Sequence, residues 1–187
     1  IHWDDFEKLG EGVPDEELFK VQRTVDVHDV TNMQYTSGTT GFPKGVMLTH
    51  HNIINNGKSI GDCMKFTNKD RLCIPVPFFH CFGCVLGVMA CATLGTAMVP
   101  VVQYRPVDVM ETIQKERCTA VHGVPTMFIF MLEHKDFDKY DFSSLRTGIM
   151  AGSPCPIERM KQCIEKMNMK EIPITYGQTE ASPATTM

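Results

Sequence analysis

The sequence predicts an α/β fold, a mainly parallel β-sheet flanked by helices. Short apolar runs alternate with helical patterns of ten or more residues, the rhythm of βαβ units. Gly/Pro/Ser segments recur just after the apolar runs, as ligand loops do at the carboxyl ends of parallel strands. Neither an internal repeat nor a low-complexity run competes with that pattern.

Residues 4–20 read as a short, acidic helical surface region, broken at Gly10-Glu-Gly-Val-Pro14. Asn32 to Tyr35 reads as a strand; a Gly/Thr loop follows, then a second strand at 45–49. From His50 to Lys65, Ile53, Ile54, Gly57, Ile60, Gly61 and Met64 recur at helical spacing and predict a helix with one buried face. Arg71 to Pro75 reads as a buried strand, Phe82 to Leu94 as an apolar helix rich in small residues, and 96–102 as a strand. Arg105-Pro106 opens a helix to Arg117, with Pro in the first turn where its missing N–H costs nothing. Thr119 to His122 is a strand, and Pro125 starts a helix reaching about His134. Arg146 to Ala151 is a strand, Pro156 opens a helix ending near Asn168, and Ile172 to Thr175 is a final strand.

The 187 residues suffice for one sizeable core or two small ones, and the reading takes 1–187 as part of one domain. A net charge of −4 supplies no basic field, which argues against nucleic acid or an anionic membrane as partner. The apolar stretch Cys81 to Leu94 is too short to span a bilayer, so no transmembrane segment is expected. The chain opens on Ile1-His2-Trp3-Asp4-Asp5 without Met or signal pattern and stops at Thr185-Thr186-Met187. It reads as a piece of a longer polypeptide, cut at both ends. Eight cysteines lie mostly in apolar segments, which favours buried small hydrophobes in a reducing, cytoplasmic setting. Cys81-Phe-Gly-Cys84 has the spacing of a redox or zinc pair, but no second pair at zinc spacing follows it.

The chemistry concentrates in four segments that follow strands. In Tyr35-Thr-Ser-Gly-Thr-Thr-Gly-Phe-Pro-Lys-Gly45, the hydroxyls of Thr36, Ser37, Thr39 and Thr40 alternate with Gly38, Gly41 and Gly45, and Lys44 closes the run. Glycines let backbone N–H groups turn toward an anion, hydroxyls donate to it, and an ammonium adds a point charge. The run departs from the common P-loop, since Lys44 is followed by Gly45 and strand-like residues. A plain Ser/Thr/Gly surface turn is the ordinary alternative. Tyr176-Gly-Gln-Thr-Glu180 sets an aromatic face, a hydroxyl and a carboxylate within one turn, suited to a base, a phosphate and Mg²⁺; a polar turn after a strand looks similar. Ala151-Gly152-Ser153 offers a wall with little side chain, fit for a flat ring. His80, after two phenylalanines, fits a packing role as well as a catalytic one.

Taken together and in this order, the segments resemble the acyl-adenylate-forming (AMP-binding) superfamily: acyl- and aryl-CoA synthetases, luciferase and peptide-synthetase adenylation domains. The signature YTSGTTGFPKG with YGQTE downstream carries the resemblance. Pro77-Phe-Phe-His-Cys-Phe-Gly83 is similar to a segment of fatty-acyl-CoA synthetases. Amino-acid-activating relatives carry an Asp in that neighbourhood, where this chain has Phe82, Gly83 and Cys84.

The resemblance implies a two-step reaction. A carboxylic acid, a fatty acid foremost, attacks ATP to give acyl-AMP and pyrophosphate, and coenzyme A then takes the acyl group. It implies that Thr36, Ser37, Gly38, Thr39, Thr40, Gly41 and Lys44 hold the β- and γ-phosphates. Thr179 would contact the α-phosphate and Glu180 would ligate Mg²⁺. Tyr176 and Gly177 would lie by the adenine, Gly152 and Ser153 would line the adenine–acyl junction, and His80 would sit at the acyl-pocket mouth. Lys44, His80, Thr179 and Glu180 are thereby the catalytic candidates. Gly83, Gly87 and Ala90 of the 82–94 helix would help wall an acyl tunnel, or belong to plain core.

Family members continue past YGQTE into a ribose-binding acid, a hinge and a small domain with a catalytic Lys. A piece without them is expected to be inactive by itself, and its uncovered strand edges are expected to promote self-association. An aryl- or short-chain-acid ligase, an acyl-carrier-protein ligase, a non-catalytic nucleotide-binding module, and a thiol redox or zinc protein remain as alternatives.

Overall fold

A computed structural model of the protein describes residues 1–37 and 41–187. Gly38, Thr39 and Thr40, assigned above to the phosphate loop, lie outside the described residues. The acidic amino-terminal region forms two short helices, α1 (Trp3–Lys8) and α2 (Asp15–Gln22), neither with a buried residue. Strands β1 (Val30–Thr36) and β2 (Lys44–Thr49) then form an antiparallel hairpin in which Thr36 faces Lys44.

β2 passes without a linker into α3 (His50–Cys63), because Thr49 caps it. Thr49 Oγ1 accepts the Asn52 N–H at 3.2 Å and Asn52 Oδ1 accepts the Thr49 N–H at 3.1 Å. That reciprocal pairing satisfies two otherwise orphaned donors and contributes about 1 kcal/mol. Ile53, Gly57, Ile60 and Gly61 form the buried stripe of α3, continued by Met64. Ile54 falls off that stripe and is 42% exposed, which corrects its assignment to the buried face.

The buried stripe packs on the segment after β3 (Arg71–Ile74). A π-helix (Phe82–Met89) there runs into the short α4 (Ala90–Leu94). A Cβ on Gly57 would stand 2.6 Å from Met89 Cβ, so the two helices approach more closely than any side chain permits. The sequence predicts one regular helix over 82–94. The wider winding of its first part accompanies a side chain from the sheet, since His122 Nε2 donates to the Leu86 carbonyl at 3.0 Å.

The sheet is mainly parallel, as predicted. β3 lies between β4 (Ala97–Pro100) and β5 (Ala120–Val121), parallel to both. β6 (Met150–Ala151) is parallel to β7 (Ile174–Gly177), which pairs antiparallel with β8 (Ala184–Thr186). Bridges from Ala120 to Thr147 and from Gly123 to Met150 join the two groups, giving the spatial order β4-β3-β5-β6-β7-β8. The last predicted strand shifts toward the carboxyl end because Pro173 has no N–H to give a ladder. β8 is absent from the sequence reading, being too short and too small-sided to show a period.

Alternate strand residues face opposite layers, as a pleat requires. Cys73, Val121 and Met150 join Val109, Met110, Ile113, Phe128 and Met131 from α5 (Pro106–Glu116) and α6 (Pro125–Leu132), with Cys163 of α7 (Ile157–Lys166). Leu72, Ile74, Ala120 and Ile149 instead meet Ile60, Phe82, Leu86 and Ala90. At the amino ends of the strands, Asp70 accepts from Thr119 Oγ1 at 2.7 Å and from Arg146 Nε at 3.0 Å. This clasp holds that end together and leaves the carboxyl ends free for a site.

Candidate functional site

A cavity of ≈ 330 Å³ opens at the carboxyl ends of β6 and β7, beneath the free end of the hairpin. Thr36 reaches it from β1. His80, Cys81, Phe82 and Leu86 come from the turn after β3 and the π-helix. Ala151 ends β6 and Gly152 follows it, and the wall is completed by Thr175, Gly177 to Glu180, Pro183 and Ala184. Residues far apart in the chain therefore meet around one space. The closest expression of this is Thr36 Oγ1 donating to Glu180 Oε1 at 3.4 Å, across 144 positions of sequence.

The local geometry follows from the chain. Thr175 and Gly177 alternate toward the cavity, which turns Tyr176 between them to the other side, where it is 68% exposed. A Cβ on Gly177 would lie 2.0 Å from the Pro183 carbonyl oxygen, so only glycine lets β7 and the returning chain close here. Gln178 N–H donates to that same oxygen at 3.0 Å, and Ser182 N–H donates to Thr179 O at 3.1 Å, so the acidic segment is a tight turn between β7 and β8.

Of the candidates read from sequence, Thr36, His80, Gly152, Gly177, Thr179 and Glu180 line the cavity. Lys44 is exposed and lies opposite Thr36, hence on the same face of the hairpin, directed to the cavity side. Ser37, Gly41 and Ser153 are exposed neighbours of that rim in sequence, off the cavity wall. The 82–94 helix reaches the cavity through Phe82 and Leu86. Gly83, Gly87 and Ala90 are buried in packing, which favours the plain-core alternative for them. The alternation that would have revealed Thr175 was present in the strand pattern, whereas nothing marked Pro183 and Ala184.

The Phe82 N–H donates to His80 Nδ1 at 3.0 Å, which leaves Nε2 of this exposed ring for a ligand. Cys81 is buried with Sγ 3.6 Å from Thr179 Oγ1. Burial pushes the Cys81 thiol up, only partly offset by the Thr179 hydroxyl, and burial likewise raises Cys84. Neither favours the thiolate that redox or zinc chemistry uses. Behind the wall, burial drives His122 down to about 4. Its neutral ring donates from Nε2 to Leu86 O and accepts the Ile149 N–H on Nδ1 at 3.3 Å.

Among the described residues no three His, Cys, Asp or Glu side chains group as a metal cage. An exposed carboxylate with a hydroxyl beside it, as at Glu180, still suits Mg²⁺. That ion keeps most of its water and takes one or two carboxylates plus substrate phosphates.

A family model described as AMP-binding enzyme matches residues 2–187. The protein YngI of Bacillus subtilis is 64% identical over 185 residues, which cover 99% of this chain and 34% of YngI. The acyl-CoA ligase SID4 of Ajellomyces capsulatus is 51% identical over 175 residues, covering 93% of this chain and 30% of SID4. Among solved structures, O-succinylbenzoate coenzyme A synthetase (MenE) of Bacillus subtilis, in complex with ATP and magnesium ion, aligns with a TM-score of 0.73 at 28% identity. The alignment covers 85% of this chain and 32% of that one. The chain thus spans about a third of the length of the curated relatives it matches.

Proposed function

The chain belongs to the AMP-binding enzyme family, and on that premise we propose that it forms part of the larger domain of an ATP-dependent carboxylic acid–CoA ligase, a fatty acid being the favoured substrate. The observation that carries the reading is the meeting of Thr36 and Glu180 at one cavity. A polyphosphate bound there would have Thr36 and Lys44 of the hairpin on one side and the acidic turn on the other. The sequence motif gives Ser37, Gly38, Thr39 and Thr40 the same phosphate-binding role.

The first step brings a carboxylate anion to a highly charged phosphate, so positioning and charge stabilisation carry most of the catalysis. Lys44 offsets phosphate charge from the hairpin face it shares with Thr36. Thr179 donates its hydroxyl to the α-phosphate. Glu180 would hold magnesium, whose chemistry there is to neutralise phosphate oxygens and orient them. His80 Nε2 stands at the mouth where the acid enters, and Gly152 and Gly177 border the adenine side, while Ser153 and Tyr176 stand exposed off that wall.

Phe82, Leu86, Ala151, Pro183 and Ala184 give the wall an apolar stretch suited to the body of an acid. Glu180 is the one carboxylate among the described lining residues, which leaves no second acid for a substrate ammonium and favours an acid without an α-amino group. Coenzyme A is the second-step acceptor, and the cysteine placement favours the cytoplasm. The test is turnover of the full-length protein with ATP and coenzyme A against acetate, octanoate, palmitate and benzoate. Acyl-CoA formation from the longer acids is expected. Turnover of amino acids alone would overturn the reading.

A further inference from the structure

We infer that Asn56 is a positioning residue for the acidic turn, setting where the Glu180 carboxylate stands over the cavity. The inference rests on the role proposed for Glu180 above. Asn56 lies on α3 one turn from Ile53 and from Ile60, half-buried at the margin of the core-facing stripe. An apolar residue would be the cheap choice at such a position. Its amide is instead committed at both ends to one distant residue. Asn56 Nδ2 donates to the Ala184 carbonyl at 2.9 Å, and Asn56 Oδ1 accepts the Ala184 N–H at 3.2 Å.

This is the bonding that a neighbouring strand would give. β8 is three residues long and, among the described residues, has β7 as its one strand neighbour in the sheet. The amide of Asn56 supplies Ala184 with the partner on its open side. The consequence lies at the other end of the turn. Thr179–Ala181 is a single 3₁₀ turn slung between β7 and β8, closed by Gln178 N–H to Pro183 O and Ser182 N–H to Thr179 O. β7 is fixed within the sheet, so the placement of the turn depends on how β8 is held. Asn56 fixes β8 two residues after Ser182. Pro183 and Ala184, the residues so held, are themselves cavity wall.

The chemistry distinguishes Asn from its near isosteres. The substitution Asn56→Asp would keep the acceptor for the Ala184 N–H but set a carboxylate oxygen against the Ala184 carbonyl. Once protonated, the new carboxyl would again have a donor for that carbonyl. Leu fills the same volume and leaves both Ala184 groups unpaired.

The experiment measures acid-dependent ATP–pyrophosphate exchange against Mg²⁺ concentration in full-length wild-type protein, N56D, N56L and E180Q, with a thermal midpoint for each. N56D is expected to raise the half-saturating Mg²⁺ about tenfold at pH 8, with the ratio to wild type shrinking as pH falls toward 5. Variants that lose thermal stability but keep the wild-type Mg²⁺ dependence, while E180Q shifts it, would overturn the positioning role alone. If E180Q also leaves the Mg²⁺ dependence unchanged, the proposed role of Glu180 falls and this inference with it. N56D carries the test by its pH profile should N56L not fold.

Discussion

Lowering the pH should destabilise this protein through His122, a residue outside the nucleotide chemistry. Its ring is fully buried, donates to the Leu86 carbonyl and accepts the Ile149 N–H, an arrangement that needs the neutral form. Burial lowers it to about 4 from an ordinary 6.5. The unfolded chain therefore binds a proton between these values that the folded chain refuses, so stability rises with pH across that window. The contribution is intact above about pH 6.5 and is lost progressively down to about pH 4. The full gap corresponds to about 3 kcal/mol, and falling from pH 7 to 4.5 should remove about 2 kcal/mol of it. Against a typical total of about 5–15 kcal/mol, that is a large share.

Urea denaturation at a series of pH values measures the loss, with H122Q as the comparison. Gln keeps a donor for Leu86 O but does not titrate. H122Q should start about 1–3 kcal/mol less stable, from the lost acceptor for Ile149, yet show a flatter pH dependence. Parallel curves for the two proteins would refute the reasoning, as would a ring titration near 6.5 seen by NMR in the folded protein.

Two further outcomes follow from the geometry. Burial raises the Asp70 carboxyl, but bonds from Arg146, Thr119 and Thr67 outweigh it and hold the group below the ordinary carboxylate range. Its stabilisation is therefore present above that range and lost as pH falls through the lowered value, and D70N should cost about 2 kcal/mol in urea denaturation at pH 7. At Gly177 an added Cβ would strike the Pro183 carbonyl, so G177A should displace the acidic turn and lower pyrophosphate exchange by about tenfold or more, with a smaller fall in thermal midpoint.

Much of the layer order was legible because burial leaves a period in sequence. α3 shows its stripe, α5 opens at Pro106, and the parallel strands appear as short apolar runs between helices. What escaped notice lacks such a period. β8 is three residues long, held by pairing with β7, by Asn56 and by the packing of Ala184 alone against the core, too little to leave a period. The π-helix is met by His122 at Leu86, a contact between residues 36 positions apart that no local pattern encodes. At the site, the residue types and their order announced the family. Which side chain faces the cavity was settled by pleat and register, so Thr175 lines it and Tyr176 does not, while Lys44 follows Thr36 by cross-strand pairing. Asn56 was visible as a polar residue at the margin of an apolar stripe, but its partner lies 128 positions away.

The most direct measurement is a crystal structure of the full-length protein with magnesium and a non-hydrolysable ATP analogue. The account predicts the β- and γ-phosphates in the cavity between the hairpin end at Thr36 and the turn at Glu180, with the metal coordinated by the Glu180 carboxylate. A nucleotide bound elsewhere, or one in this cavity whose metal ignores Glu180 while its phosphates turn from the hairpin, would contradict it.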